Sequence, residues 1–119
     1  QAWENGTIVI HGDGNQTRDY VYLDDVVSAM VAASTAPEIN QLTINVGSGS
    51  ETSVRDLAKQ VIEVTGGHPE LVYNPRNEGG LSRLCADISL ARDKLGYEPK
   101  VSLAEGLRMT FDQDIRINS

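Results

Sequence analysis

GDGNQTRDYVYLDD, from Gly12 to Asp25, carries the change of period that decides the fold. Gly12, Asp13, Gly14 and Asn15 are turn residues, because glycine and asparagine tolerate a positive φ. Before them Ile8, Val9 and Ile10 form a short apolar run ending at His11, which predicts a strand entering the turn. After them Thr17 to Tyr22 read as a second extended piece. From Leu23 the spacing alters. Leu23, Val26, Val27, Met30 and Val31 recur at steps of three and four, one face of a helix. Asp24 and Asp25 fall in its first turn, where the helix dipole favours carboxylates, and Pro37 marks its end. Inside the stretch stands Arg18, on a chain of net charge −7. It can be a surface charge, half of an ion pair, or a hand for an anionic ligand.

Downstream the same two periods alternate. Leu42, Ile44 and Val46 interleave with Thr43 and Asn45, which predicts a half-buried strand. Gly47 to Ser50 form a loop. Ser53 is an N-cap with Asp56 completing a weak capping box, and Val54, Leu57, Ala58, Val61 and Ile62 give a helical face that stops at Gly66-Gly67. Leu71 to Tyr73 read as a strand before Pro75. Asp87 caps a helix carrying Ile88, Ala91 and Leu95, with Gly96 after it. Ser102 and Glu105 box the last helix, whose face is Leu103, Leu107, Thr110 and Phe111 and which Gly106 weakens. The chain is therefore expected to be α/β, with short strands and about four helices. Asn74 to Ala86 is the longest irregular segment and holds Arg76 and Arg83.

Composition bounds the function. The 119 residues suffice for one domain, and 39% apolar with 23% charged residues is ordinary for a soluble protein. No apolar run is long enough to span a membrane, and the acidic balance argues against nucleic acid. The single cysteine, Cys85, excludes an internal disulfide, fits a cytoplasmic location, and is expected as a small buried apolar residue. The chain does not begin with Met and shows no leader, so it is read as a partial chain.

Most catalytic patterns are missing. Gly47-Ser48-Gly49 sits where a dinucleotide loop would, but Thr52 holds the third glycine's place. His11 and His68 lack metal-ligand spacing, and no serine nucleophile elbow appears. Asp24 and Asp25 are better read as helix-start carboxylates than as an acid–base pair. The arginines remain. Arg18, Arg76 and Arg83 lie on separate extended or irregular pieces, and guanidiniums so placed can clamp a diphosphate through bidentate hydrogen bonds. Each can equally pair with a nearby carboxylate.

Three stretches in order carry a resemblance: GDGNQTRDYVYLDDVVSAM, INVGSGSETSVRDLAKQV and YNPRNEGGLSRLCADISLARDKLGYEPKVSLAEGL. They resemble the extended short-chain dehydrogenase/reductase family, the nucleotide-sugar epimerases and dehydratases, from about Ile8 to Met109. Members pair an N-terminal Rossmann domain that binds NAD or NADP with a smaller C-terminal lobe that binds the nucleotide sugar. The resemblance implies that residues 1–119 form one partial domain, that C-terminal lobe, lacking most of the Rossmann sheet. It implies that Arg18 and Arg76 contact the nucleotide diphosphate, with Gln16 in the same wall. Arg83 either supports the site or pairs with Asp87. Asp25 matches a structural aspartate.

The chain departs from the family in two places. Many members read Arg-x-Gly-Asp or Arg-x-x-Asp at the second arginine, with the aspartate on the ribose. Here the run is Arg76-Asn77-Glu78-Gly79, and Glu78 lies one residue away. The family's Tyr-x-x-x-Lys pair is also missing: none of the four tyrosines has a lysine four residues on. No catalytic, cofactor or metal residue is therefore expected on this chain. The implied function is the nucleotide-sugar-binding portion, with UDP-hexose as the expected ligand, of an NAD(P)-dependent enzyme whose parent reaction is C4 epimerisation by transient oxidation. The alternative is a stand-alone, non-catalytic module that binds a nucleotide or another subunit. Expected partners are the nucleotide-sugar diphosphate, the Rossmann half, and a second copy drawn on by exposed apolar surface.

Overall fold

Ile8, Val9 and Ile10 lie in the first strand, β1 (Thr7–His11), of a computed structural model that describes residues 1–2, 4, 6–75 and 81–114. Among the described residues eight further elements follow: β2 (Thr17–Arg18), α1 (Leu23–Thr35), β3 (Thr52–Ser53), α2 (Val54–Thr65), β4 (Glu70–Asn74), β5 (Arg83–Leu84), α3 (Ser89–Leu95) and α4 (Leu103–Gln113). β1 pairs with β4 in parallel, Ile8 opposite Leu71 and Ile10 opposite Tyr73. β2 is the centre of a second sheet, antiparallel to β3 and parallel to β5.

Local chemistry sets the helix ends. Ser53 Oγ accepts the Asp56 amide at 3.0 Å, and Gly66 closes α2 at φ 65°. Ser102 Oγ accepts the Glu105 amide at 3.3 Å. Asp87 acts just ahead of α3, accepting from the backbone amide and the hydroxyl of Ser89. α2 packs on α4, and α1 on α3. Gly106 has a packing reason for lying inside a helix. A Cβ there would sit 2.9 Å from Cδ2 of Tyr22, so the glycine admits the ring.

Three expectations need correction. The extended piece after the turn is a paired strand only over Thr17–Arg18. Residues 42–46 have the predicted alternation, and Ile44 and Val46 do pack on the core, but no strand pairs with them among the described residues. A side-chain period marks an extended segment; the ladder also needs a neighbour. In α1 the inward stripe is Asp25 and Ala29, whereas Leu23, Val27, Met30 and Val31 are exposed. The periodicity is helical, but most of the apolar face looks away from this chain's core.

Among the described residues the clustered part of that core is Ala29, Ile88, Ala91 and Tyr97, backed by Ile44, Val46, Ala86 and Leu95, with Ile10 and Ala58 buried apart from it. The molecule is a slab 50 × 37 × 17 Å with a radius of gyration of 16.9 Å. A compact domain of this length has a radius of about 14 Å. Asp25 ties the slab together from within. Its buried carboxylate accepts the amides of Lys100 and Val101 at 3.0 and 3.1 Å, so it fastens the segment before α4 to α1. The structural role expected for Asp25 is present, with amides outside its own helix as the partners.

Candidate ligand-binding site

The turn after β1 delivers Arg18 to the central strand of the mixed sheet. Asp13 accepts from the amide and the side chain of Asn15 at 2.8 and 2.7 Å, which closes the turn. Gln16 folds back, its Nε2 donating to the His11 carbonyl at 3.2 Å, while its own carbonyl accepts the Val54 amide. Gln16 therefore buttresses the turn. Thr17 and Arg18 follow, clasped between β3 and β5.

Arg18 is half-buried, and its Nη1 donates to the Thr17 carbonyl at 2.7 Å. Among the described residues no carboxylate lies within ion-pair distance of it. Of the three readings of this arginine, an ion pair with a described carboxylate is removed. A guanidinium has five N–H donors, so most of its capacity remains available to an anion.

Arg83 stands differently. Its Nε donates to both Glu51 carboxylate oxygens, at 2.7 and 2.8 Å, so the ion pair expected with Asp87 is made with Glu51 instead. The register sets Thr17 opposite Arg83 and Arg18 opposite Leu84. Side chains alternate along a strand, so Arg18 and Arg83 belong to opposite faces of the sheet. Arg76 and Glu78 lie outside the described residues.

Three charged residues escaped the sequence reading. Asp19, next to Arg18, takes the Ser48 amide and hydroxyl at 2.7 and 2.6 Å, the Gly49 amide at 3.0 Å and the Ala86 amide at 3.2 Å. Partial burial works against its charge, but the Ser48 hydroxyl and these amides outweigh it and hold its pKa below the ordinary carboxylate range. Glu51 also accepts the Thr17 hydroxyl at 2.7 Å; the Arg83 guanidinium, then that hydroxyl, lower its pKa. Arg55 donates to the Asp13 carbonyl at 2.7 Å, with its guanidinium carbon 5.8 Å from the centre of the Tyr73 ring. A signal existed for Arg55: a cation in a helix's first turn opposes the dipole and needs another partner.

Cys85 is exposed, not buried as expected. Desolvation of the sulfur, then the nearby carboxylates of Asp19 and Glu51, raise its pKa, which favours the protonated thiol over the thiolate. Tyr97 is a core pillar, buried with its hydroxyl donating to the Gly47 carbonyl at 2.8 Å. Burial first, and then Asp25 and Asp19, raise its pKa, which suits a hydrogen-bond donor.

The residues of the Gly47-Ser48-Gly49 loop do not fit a dinucleotide phosphate. The amides of Ser48 and Gly49 are spent on Asp19. The space beside Gly47 belongs to Asp19 and Ala86, and that beside Gly49 to Ile88. The glycines serve internal packing.

A short mixed sheet bearing Arg18 on its central strand, with α1 packed on α3 and α2 on α4, matches the C-terminal portion of an extended short-chain dehydrogenase/reductase. The chain belongs to the nucleotide-sugar epimerase and dehydratase family: the family model described as GDP-mannose 4,6 dehydratase matches residues 2–110. It is 42% identical over 106 residues to a UDP-glucose 4-epimerase of Mycolicibacterium smegmatis, covering 89% of this chain and 34% of that protein. A putative UDP-glucose 4-epimerase of Methanocaldococcus jannaschii is 39% identical, over 88% of this chain and 33% of its own length. The chain thus spans about a third of the curated relatives it matches. Among solved structures it resembles the Thermotoga maritima UDP-glucose 4-epimerase with UDP-glucose. The TM-score is 0.89 at 38% identity, covering 99% of this chain and 38% of that one. It also resembles the Bacillus cereus UDP-glucuronic acid 4-epimerase in complex with UDP-glucuronic acid and NAD, with a TM-score of 0.83 at 34% identity, over 92% of this chain and 35% of that one.

Proposed function

We propose that this chain is the nucleotide-sugar grip of an NAD(P)-dependent epimerase, with Arg18 holding the diphosphate of a UDP-hexose and C4 epimerisation as the parent reaction. The observation that carries the reading is Arg18 itself. It is a half-buried guanidinium with a carbonyl as its hydrogen-bond partner and no described carboxylate in reach, on a chain of net charge −7. Arginine forks match phosphate geometry, and a guanidinium without a counter-ion in a partly desolvated place favours an anion. Arg76 joins Arg18 as the second hand, Gln16 supports the turn that carries Arg18, and Arg83 acts from the other face of the sheet. The relatives named for UDP-glucose and UDP-glucuronic acid support the ligand class.

The cofactor site and the acid/base belong to a Rossmann portion of a longer protein. Segment 42–46 and the exposed face of α1 are where that portion docks. Among the described residues the extended segment with its alternating side chains lacks a strand neighbour, and α1 shows Leu23, Met30 and Val31 more than 60% exposed. Both are the marks of a sheet and core completed by something else.

Calorimetric titration of the chain with UDP-glucose tests the grip. Saturable binding is expected, weakened about tenfold to a hundredfold in Arg18→Ala, the scale of a lost charge-assisted hydrogen bond or two. Equal affinity in the variant would remove Arg18 from the site.

A further inference from the structure

β2 is only two residues long, so its ladder alone gives Arg18 a weak hold. Thr17, the residue before it, is nevertheless fastened at three points. Its amide donates to the Ser82 carbonyl at 2.9 Å, its hydroxyl to Glu51 Oε1 at 2.7 Å, and its carbonyl takes Arg18 Nη1 at 2.7 Å. Glu51 is held in turn by Arg83 from β5. The ion pair is lopsided: the Glu51 side chain is 23% exposed and that of Arg83 75%. Glu51 is thus the covered member, shared between a hydroxyl on β2 and a guanidinium on β5. A continuous path of hydrogen bonds runs Arg83–Glu51–Thr17–Arg18 through the sheet.

We propose that Glu51 is a positioning residue for Arg18, acting through the Thr17 hydroxyl and carbonyl to hold the guanidinium in place before an anion arrives. The inference rests on Arg18 being the diphosphate grip. A long arginine side chain carries much rotamer freedom, and fixing it in advance removes that cost from binding. Glu51 cannot contribute by direct attraction, because a carboxylate repels a diphosphate. Its two effects therefore have opposite signs. Glu51→Met removes the negative charge along with the acceptor oxygens and leaves Arg83 uncompensated, which by charge alone tightens anion binding. Loss of positioning loosens it.

The test is calorimetry with UDP as the probe on the 119-residue chain, with folded fraction followed by circular dichroism. The variants are Arg18→Ala, Glu51→Met, Thr17→Val, Thr17→Ser and the Glu51→Met/Thr17→Val double variant. Glu51→Met, which leaves the Thr17 hydroxyl without its acceptor, and Thr17→Val are each expected to weaken UDP binding about fivefold to tenfold, the scale of one hydrogen bond. The double variant should be no weaker than either single one, because both break the same path. Thr17→Ser keeps the hydroxyl and should keep the affinity, which a merely structural loss at this position would not single out. Unchanged or tighter binding in Glu51→Met overturns the inference, as does Thr17→Ser behaving like Thr17→Val. If Arg18→Ala binds UDP as well as the parent chain, or the parent chain shows no binding at millimolar UDP, the grip itself is wrong and this inference falls with it. If Arg18→Ala alone weakens binding, the grip stands and Glu51 has no part in it.

Discussion

The Asp19 carboxylate fills the space that a side chain on Gly47 would need: a Cβ built there lies 2.6 Å from Asp19 Oδ2 and 2.7 Å from the Ala86 Cβ. The same carboxylate binds the next two amides of that loop and the Ala86 amide. Gly47 and Asp19 are therefore one unit. Gly47→Ala is expected to destabilise the chain by about 1–3 kcal/mol, an overpacking cost against backbone-anchored atoms. Urea unfolding followed by circular dichroism measures it. Gly66→Ala is the control: that Cβ meets nothing within 4 Å, so only the positive φ is strained, at about 1 kcal/mol.

Asp19 also sets an acid limit. Its folded pKa is depressed, so the stability it contributes is complete above its unfolded value and is lost as pH falls through the folded one. The chain should lose stability progressively below about pH 4, the ordinary range of an aspartate. Asp19→Asn should be less stable at neutral pH by about 1–3 kcal/mol, since an amide nitrogen would face backbone donors. Its stability should also vary less with acid. Parallel pH profiles for the two proteins would assign the effect elsewhere, to Asp13, Glu51, Asp56 or Asp87, which are also depressed.

Gly106 lies mid-helix, where alanine ordinarily gains about 1 kcal/mol. The Tyr22 ring reverses that expectation, because its Cδ2 lies 2.9 Å from the position a methyl group would take. Gly106→Ala should destabilise the chain in thermal melts. In a Tyr22→Ala background the same substitution should stabilise it. A stabilising effect in both backgrounds would show that the ring yields.

The apolar face of α1 should behave as a surface while uncovered. Met30→Glu and Val31→Lys are expected to change folding stability by less than about 0.5 kcal/mol, as substitutions at exposed sites do. They should lower self-association of the chain, read by sedimentation velocity. A large stability loss would place these side chains inside the fold.

Most of the local grammar was legible in the sequence, because caps and stops are short-range chemistry. Ser53, Ser102, Gly66 and Gly96 act where they were expected, and β1 and β4 fall on their apolar runs. What failed was anything needing knowledge of a neighbour. The segment 42–46 has strand periodicity without a described strand beside it, and α1 has a helical face without a described element over it. The site was half legible. Arg18 stood out as an arginine on an extended piece after a turn. Asp19 and Glu51 did not, because their roles depend on bonds to residues 29 and more positions away. Arg83 was left open between supporting the site and pairing with Asp87, and its ion-pair partner, Glu51, could not be read from spacing.

The central claim is that Arg18 grips a diphosphate. Its most direct test is a two-dimensional nitrogen–proton spectrum that resolves the arginine Nε–H signals during titration with UDP. The account predicts that the Arg18 signal shifts first and saturates, with Thr17 and the amides of β2 following, while Arg92 and Arg108 stay in place. A saturating shift that leaves Arg18 unmoved and centres on Arg55 or Arg83 would contradict it.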